Sequence, residues 1–384
     1  MARAFMKIAM IGQKGIPFTR DGGVERHVEE LSVGLVARGH EVLVYVRPRF
    51  IINGQKIYKG ARLASLPSIS TKNLDTISHT FLATIHVLFK KVDIIHYHGV
   101  GPSTLAWIPR IFKPRTKIIV TFHSIDRFHK KWGKFARWYL GLGEWTACHF
   151  AHKTIAVSES IQKYCKKKFK KNLVYIPNGV TPEKIFGEDK IKQFGLKKNS
   201  YILTVARLIR HKGIHYLIQA YRKIEKNFGD DPKNWPGGKI KKLVIVGAPS
   251  FTDDYYAYLN QLAEQSPNII FTGFQVSEPL KQLFANAYLY VHPSEAEGLS
   301  ITILEAMSFG TCVLISNIPE NMETIDHSGF SFETKNIDDL YEKLIYLFNV
   351  PEIVDSRGER GKEFIKKNFN WDKIIIETEK TYKK

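Results

Sequence analysis

Short apolar runs alternate along this chain with longer stretches of helical spacing. KIAMIG, residues 7–12, is an apolar run closed by glycine, as expected for a strand buried on both faces. A polar loop with Gly15, Pro17, Gly22 and Gly23 follows. Residues 24–38 then place Val24, Val28, Leu31 and Leu35 on one stripe of a helix. Gly39 ends it, and EVLVYV (41–46) predicts a second strand. The alternation continues with DIIHYH (93–98), KIIVTF (117–122) and KTIAVS (153–158). Residues 176–200 are looser and polar. A second series then begins: YILTVA (201–206), KLVIVG (242–247), NIIFTG (268–273), AYLYVHP (287–293) and TCVLIS (311–316). Strands alternating with helices predict parallel sheets covered on both faces. The expected class is α/β, with two tandem doubly wound domains facing a cleft. Residues 1–182 are expected to form the first domain and 183–368 the second, with the tail 369–384 packing back on the first.

A length of 384 residues allows two cores. With 44% hydrophobic and 24% charged residues, the chain reads as globular. The net charge of +20 is unevenly placed. Residues 1–180 hold 30 Lys and Arg against 10 Asp and Glu, whereas the remainder holds 27 of each kind. The first domain is therefore expected to face a polyanion or an anionic membrane. Cys148, Cys165 and Cys312 are far apart and odd in number, which argues against a disulfide framework and for a cytoplasmic compartment. No run approaches the roughly 18 apolar residues of a membrane span. The opening MARAFMKIAMIG reads as a first strand and not as a signal peptide.

Candidate chemistry gathers where strands end, the position at which open α/β sheets bind ligands. VARLIRHKG (205–213) places Arg207 and Lys212 between a strand and a helix expected at about 214–226. Two such cations suit a diphosphate, and equally they suit a solvated surface. EAEGLSITILEAMSFG (295–310) sets Glu297 in a loop and Glu305 in a helix of residues 301–309, with Ser300 as the expected N-cap. Gly298 permits close backbone approach, and the helix start suits phosphate. A carboxylate accepts two hydrogen bonds from a vicinal diol, so the two acids could hold two sugars. In the first half, Gly22 and Gly23 precede a helix, and His96, His98, His123 and Asp126 follow strands. His96 reads as structural, while His98 and His123 read equally as structural or as acid, base or hydrogen-bond groups. No D-x-D occurs, and no carboxylate or cysteine joins the histidines at ligand spacing, so no metal is expected. RFHKKWGKFARWYLGLGEW (127–145) interleaves Lys130, Lys131, Lys134 and Arg137 with Trp132, Phe135 and Trp138. A membrane interface, a single-stranded nucleic acid or a plain core would each use this pattern.

At these segments the sequence resembles the GT-B glycosyltransferases of family 4, glycosyl transferases group 1, along essentially its whole length. PSEAEGLSITILEAMSFGTCVL, VARLIRHKG, IPNGV (176–180) and GGVERHVEELSVGLVARGHEV (22–42) carry the resemblance. It implies two Rossmann-like domains and a retaining transferase of hexosyl or deoxyhexosyl units. The donor is then a nucleoside diphosphate sugar, bound without a cofactor or a metal for chemistry. Arg207 and Lys212 would neutralise its diphosphate, Glu305 would hold the ribose and Glu297 the transferred sugar. Backbone at Gly298, Leu299, Ser300 and Ile301 would assist, with Gly273 also beside the donor and Gly22 and Gly23 approaching from the first domain. His123 would lie beside the sugar, and His98 and Asp126 toward the acceptor. The acceptor is expected to be a glycan, lipid-linked at the inner face of the cell membrane, with an anionic surface as partner and no nucleic acid. Leu299-Ser300 departs from the commoner Phe-Gly of the family and alters the pocket wall. The likeness is to transferases of bacterial surface polysaccharides. The competing readings are a nucleotide-sugar epimerase on the same fold and a non-catalytic polyanion-binding protein.

Overall fold

The computed structural model describes residues 5–17, 22–52, 54–71, 74–125, 127, 133–181, 183, 185, 187–249 and 252–383. The chain divides into two compact units, Met1–Gly179 with Trp371–Lys384, and Val180–Asn370.

The first unit holds β1 (Lys7–Ile11), α1 (Gly23–Ala37), β2 (Glu41–Val46), β3 (Ile57–Tyr58), β4 (Ala61–Ser65), α2 (Leu74–Leu88), β5 (Ile94–His98), α3 (Val100–Ser103), α4 (Trp107–Phe112), β6 (Lys117–Phe122), α5 (Lys134–His149), β7 (Lys153–Ala156), α6 (Glu159–Phe169) and β8 (Val174–Tyr175). The second holds α7 (Asp189–Lys192), β9 (Tyr201–Val205), α8 (Ile214–Phe228), β10 (Lys242–Val246), α9 (Asp253–Ala263), β11 (Ile269–Gly273), α10 (Ser277–Asn286), β12 (Leu289–His292), α11 (Ile301–Ser308), β13 (Val313–Ser316), α12 (Pro319–Ile325), β14 (Phe330–Phe332), α13 (Ile337–Asn349) and α14 (Pro351–Asn368). The last helix, α15 (Trp371–Lys383), returns to the first unit.

The first sheet runs β3-β4-β2-β1-β5-β6-β7-β8, parallel except where β3 meets β4. Successive residues of β1 serve opposite cores. Ile8 and Met10 pack with Val28, Leu31 and Leu35 of α1 and with Trp371, Ile374 and Ile375 of α15. Ala9 and Ile11 pack with Ala83 and Val87 of α2 and Ala147 of α5. This period of two, apolar on both faces, is why the strand reads as a continuous apolar run.

The second sheet runs β11-β10-β9-β12-β13-β14, and all its pairs are parallel. From β9 the chain winds outward to β10 and β11, then returns to place β12 on the other side of β9. The connections that follow β9 and β12 thus leave in opposite directions, and their first residues frame a crevice at the strands' carboxyl ends. The first sheet repeats this between β1 and β5.

The unexpected strands are β3, β4, β8 and β14. They lie at or beside sheet edges and bury few side chains, and β3, β8 and β14 are also short, so they carry little periodicity. Helix α5 lies so close to α3 that a Cβ on Gly143 would stand 1.9 Å from Val100 O. Gly143→Ala must push the helices apart. Such overpacking costs about 1–3 kcal/mol, and calorimetry should show the melting temperature of the variant lowered by several degrees.

Candidate functional site

In the second unit, Lys212 ends a single 3₁₀ turn after β9. Gly213 follows with φ 68°, and a Cβ there would sit 1.9 Å from Pro293 O. Only glycine allows the loop after β9 to lie so close to the end of β12. Glu295 N donates to His211 O at 2.7 Å and ties the two loops together. Lys212 Nζ then donates to Glu297 Oε1 at 2.6 Å. The same oxygen lies 2.8 Å from Nε2 of the buried His292. Tyr290 OH stands 3.0 Å from His292 Nδ1 and 2.8 Å from Thr302 Oγ1. A polar chain therefore runs from α11 through β12 to Lys212.

Burial opposes the charge on Glu297, but Lys212 and His292 together outweigh it and hold the carboxyl well below its usual range. Burial lowers the basicity of His292 more than Glu297 raises it, so the ring is neutral and donates from Nε2. Arg207 is half-buried in the first loop, and among the described residues no carboxylate pairs with it. Glu305 lies half-buried on α11 among Ile303, Leu304, Ala306 and Met307, all buried.

Ser300 occupies the N-cap position as expected, but its side chain makes no capping hydrogen bond. Its Oγ instead meets Thr302 Oγ1 at 3.1 Å. Helix α11 therefore begins without a side-chain cap.

In the first unit, His98 ends β5 and His123 follows β6. His27 of α1 joins them, and ligand nitrogens of the three lie within 4.8 Å of one another. His98 Nδ1 and His123 Nε2 are 3.3 Å apart, and His27 Nδ1 is 2.9 Å from Asn178 Oδ1. Burial lowers His27 to about 4 and the other two well below the ordinary imidazole value, so all three are neutral at pH 7. They are the one group among the described residues with the spacing of metal ligands. His96 has both nitrogens occupied, by Tyr382 OH and Thr121 Oγ1, each at 2.7 Å, and is structural.

The family described as "Glycosyltransferase Family 4" matches residues 21–184, and that described as "Glycosyl transferases group 1" matches residues 187–364. The chain belongs to the family 4, group 1 glycosyltransferases. An uncharacterized glycosyltransferase of Methanocaldococcus jannaschii is 28% identical, with 98% of each chain covered. The O-antigen biosynthesis glycosyltransferase WclY of Escherichia coli is 25% identical over 67% of this chain and 70% of that protein. Among solved structures, Anabaena HepE in complex with UDP and glucose superposes with a TM-score of 0.78 at 20% identity, covering 98% of this chain and 99% of that one. The two Rossmann-like units are those of the GT-B fold.

In this glycosyltransferase the structure brings together Lys212, Glu297 and the loop 298–301. Gly273 ends the edge strand β11, and its carbonyl accepts from Gly247 N at 3.0 Å. Gly22 takes the N-cap position of α1 with φ 139°, and Gly23 is its first helical residue. Asp126, Lys130, Lys131 and Trp132 lie outside the described residues. Lys134, Phe135, Arg137 and Trp138 are exposed on α5. Phe135 is 73% and Trp138 62% exposed, so these two rings do not fill the core. His27 and His292 escaped sequence reasoning. His292 ends a strand, as His98 does, and His27 falls on the buried stripe of Val24, Val28 and Leu31; either position was a usable signal.

Above about pH 4.5, the ordinary value, ionised Glu297 stabilises the second unit, and that contribution is lost as the pH falls through its lowered folded value. Glu297→Gln should therefore melt below wild type at neutral pH, with the gap closing at strongly acidic pH in calorimetric scans.

Proposed function

We propose that this glycosyltransferase moves a glycosyl unit from a nucleoside diphosphate sugar to an acceptor hydroxyl with retention of configuration. The observation that carries the reading is the meeting of Lys212, from the same connection as Arg207, with Glu297, where the connections after β9 and β12 diverge. Cations, a carboxylate and an uncapped helix start at one crevice suit a ligand that joins phosphate to sugar hydroxyls. HepE, the structural neighbour, carries UDP and glucose, which supports a nucleotide-sugar donor.

Arg207 and Lys212 neutralise the diphosphate, and N–H groups at the start of α11 assist them. Lys212 turns its ammonium from Glu297 toward the phosphate, and His292 remains to hold Glu297 in place. Glu297 accepts from hydroxyls of the transferred sugar, and Glu305 from the vicinal hydroxyls of the ribose. Leu299 and Ser300 form the pocket wall that selects the sugar. In the first unit, Gly22 and Gly23 stand at the start of α1, and His123, after β6, is assigned to substrate binding. The glycosidic C–O bond to phosphate breaks, and the acceptor oxygen bonds to the same face of the anomeric carbon. The acceptor proton passes to the leaving phosphate oxygen. Fixed positive charge stabilises the departing diphosphate, the service a metal gives elsewhere.

We place the acceptor on a lipid-linked glycan at the inner membrane face. WclY, an O-antigen biosynthesis enzyme, supports a surface-polysaccharide setting. The outer sides of α2, α4 and α5 bear Leu82, Ile85, Trp107, Ile111, Phe112, Phe135 and Trp138, all exposed. Exposed Lys90, Lys91, Arg110, Arg115, Lys134 and Arg137 accompany them. Helices α2 and α4 pack together, α3 joins α2 to α5, and α2 and α5 cover the same face of the sheet. Aromatic rings among bases suit the boundary of an anionic leaflet.

In a thermal-shift panel of nucleoside diphosphate sugars, the true donor should raise the melting temperature by several degrees. The gain is about 2.7 kcal/mol at a hundred times Kd. Glu305→Ala should lose most of that shift and reduce donor turnover at least tenfold, about 1.4 kcal/mol; wild-type turnover in this variant would remove Glu305 from the site. In flotation, wild type should rise with anionic vesicles and not with neutral ones, and Phe135→Ser/Trp138→Ser should remain at the bottom.

A further inference from the structure

The first unit contains three buried histidines whose hydrogen bonds set their protons in a defined order. His27 Nδ1 faces Asn178 Oδ1, which can only accept, so the proton sits on Nδ1 and Nε2 keeps its lone pair. His98 Nε2 lies 3.4 Å from Met10 Sδ, a weak acceptor, which favours a proton there and a lone pair on Nδ1. That Nδ1 is 3.3 Å from His123 Nε2. Two nitrogens on one tetrahedral ion, at bonds of about 2.0–2.1 Å, stand about 3.3 Å apart. The pair already has the spacing that an ion requires, and one nitrogen from each of the three rings lies within 4.8 Å of the others.

We propose that His27 Nε2, His98 Nδ1 and His123 Nε2 form a site for a divalent transition metal ion of the zinc class, with a fourth position open. Three neutral imidazoles disfavour Mg2+ and Ca2+, which take oxygen ligands, and suit Zn2+, Co2+, Ni2+ or Cu2+. Asn178 on His27 is the kind of outer partner that orients a ligating imidazole. One displacement is needed. The proton shared between His98 and His123 leaves their contact as His123 shifts to the tautomer protonated on Nδ1. His96 lies beside His98, with ring centroids 4.1 Å apart, but its nitrogens are occupied and it takes no part. The bound ion carries two positive charges among neutral ligands, so the open position accepts hydroxide or an anionic oxygen. Because the ion occupies the His123 ring, it inhibits transfer; this consequence rests on the role given to His123 above.

The test is equilibrium dialysis of the full chain against Zn2+ or Co2+ after chelation, read by metal analysis and by the visible absorption of bound Co2+. One ion per chain is expected, with the intense absorption of tetrahedral nitrogen coordination. His27→Gln and His123→Gln should each weaken retention at least tenfold, and Asn178→Leu about tenfold. His149→Gln, at an exposed position on α5, should change nothing. X-ray absorption of the wild-type complex needs no variant to fold, and should show imidazole scattering from three rings. No retained metal, or an ion in oxygen coordination, overturns the site and leaves the nucleotide-induced thermal shift standing. Full transfer activity in the metal-loaded enzyme overturns the inhibitory role alone.

Discussion

The second unit depends on a constraint of chain direction. Parallel strands must be joined by crossovers, and those crossovers have one hand. When the chain winds outward from β9 and later returns to lay β12 on its other side, no connection bridges the carboxyl ends of that pair. The crevice that remains is not carved by the side chains; it follows from strand order. Side chains only furnish it. Lys212 arrives from one loop and Glu297 from the other, and Gly213 lets the two backbones come close enough for the ion pair to form.

A mostly buried carboxylate is costly, and this one is retained because its surroundings answer its charge. Lys212 and His292 both reach Oε1, and Tyr290 secures the far side of the histidine. The lysine ammonium stands on a flexible stem, whereas the imidazole is held at both nitrogens. A ligand that claims the ammonium therefore need not leave Glu297 unsupported. Ser300, whose Oγ meets Thr302 Oγ1 and caps no backbone N–H, fits the same economy, since a side-chain cap would compete with an anion there.

The first unit has the same winding and a different chemistry. Its carboxyl-end histidines are neutral and face one another, and among the described residues no acid joins their cluster. Its positive charge lies outside, around aromatic rings on α2, α4 and α5. Burial accounts for both arrangements: inside, desolvation removes the imidazole charge; outside, water supports lysine and arginine at little cost.

Much of this was legible along the chain. The strands β2 and β6 coincide with their apolar runs to the residue, because a strand buried on both faces has no polar alternation to blur it. The strands at or next to the edges, β3, β4, β8 and β14, were not legible, since their burial is slight. Arg207, Lys212, Glu297 and Glu305 could be chosen from their place after strands and from residue type. Sequence alone thus determined the alternation of elements, the division into a basic and a neutral half, and which side chains could carry chemistry, because those follow from local periodicity and composition. Only the tertiary structure decided that Lys212 shares one oxygen with His292, 85 residues apart from Glu297 on one side and five on the other. It also decided that His27 meets His98 and His123. The physical reason is that contacts between distant segments depend on strand order and backbone approach, quantities that no local pattern encodes.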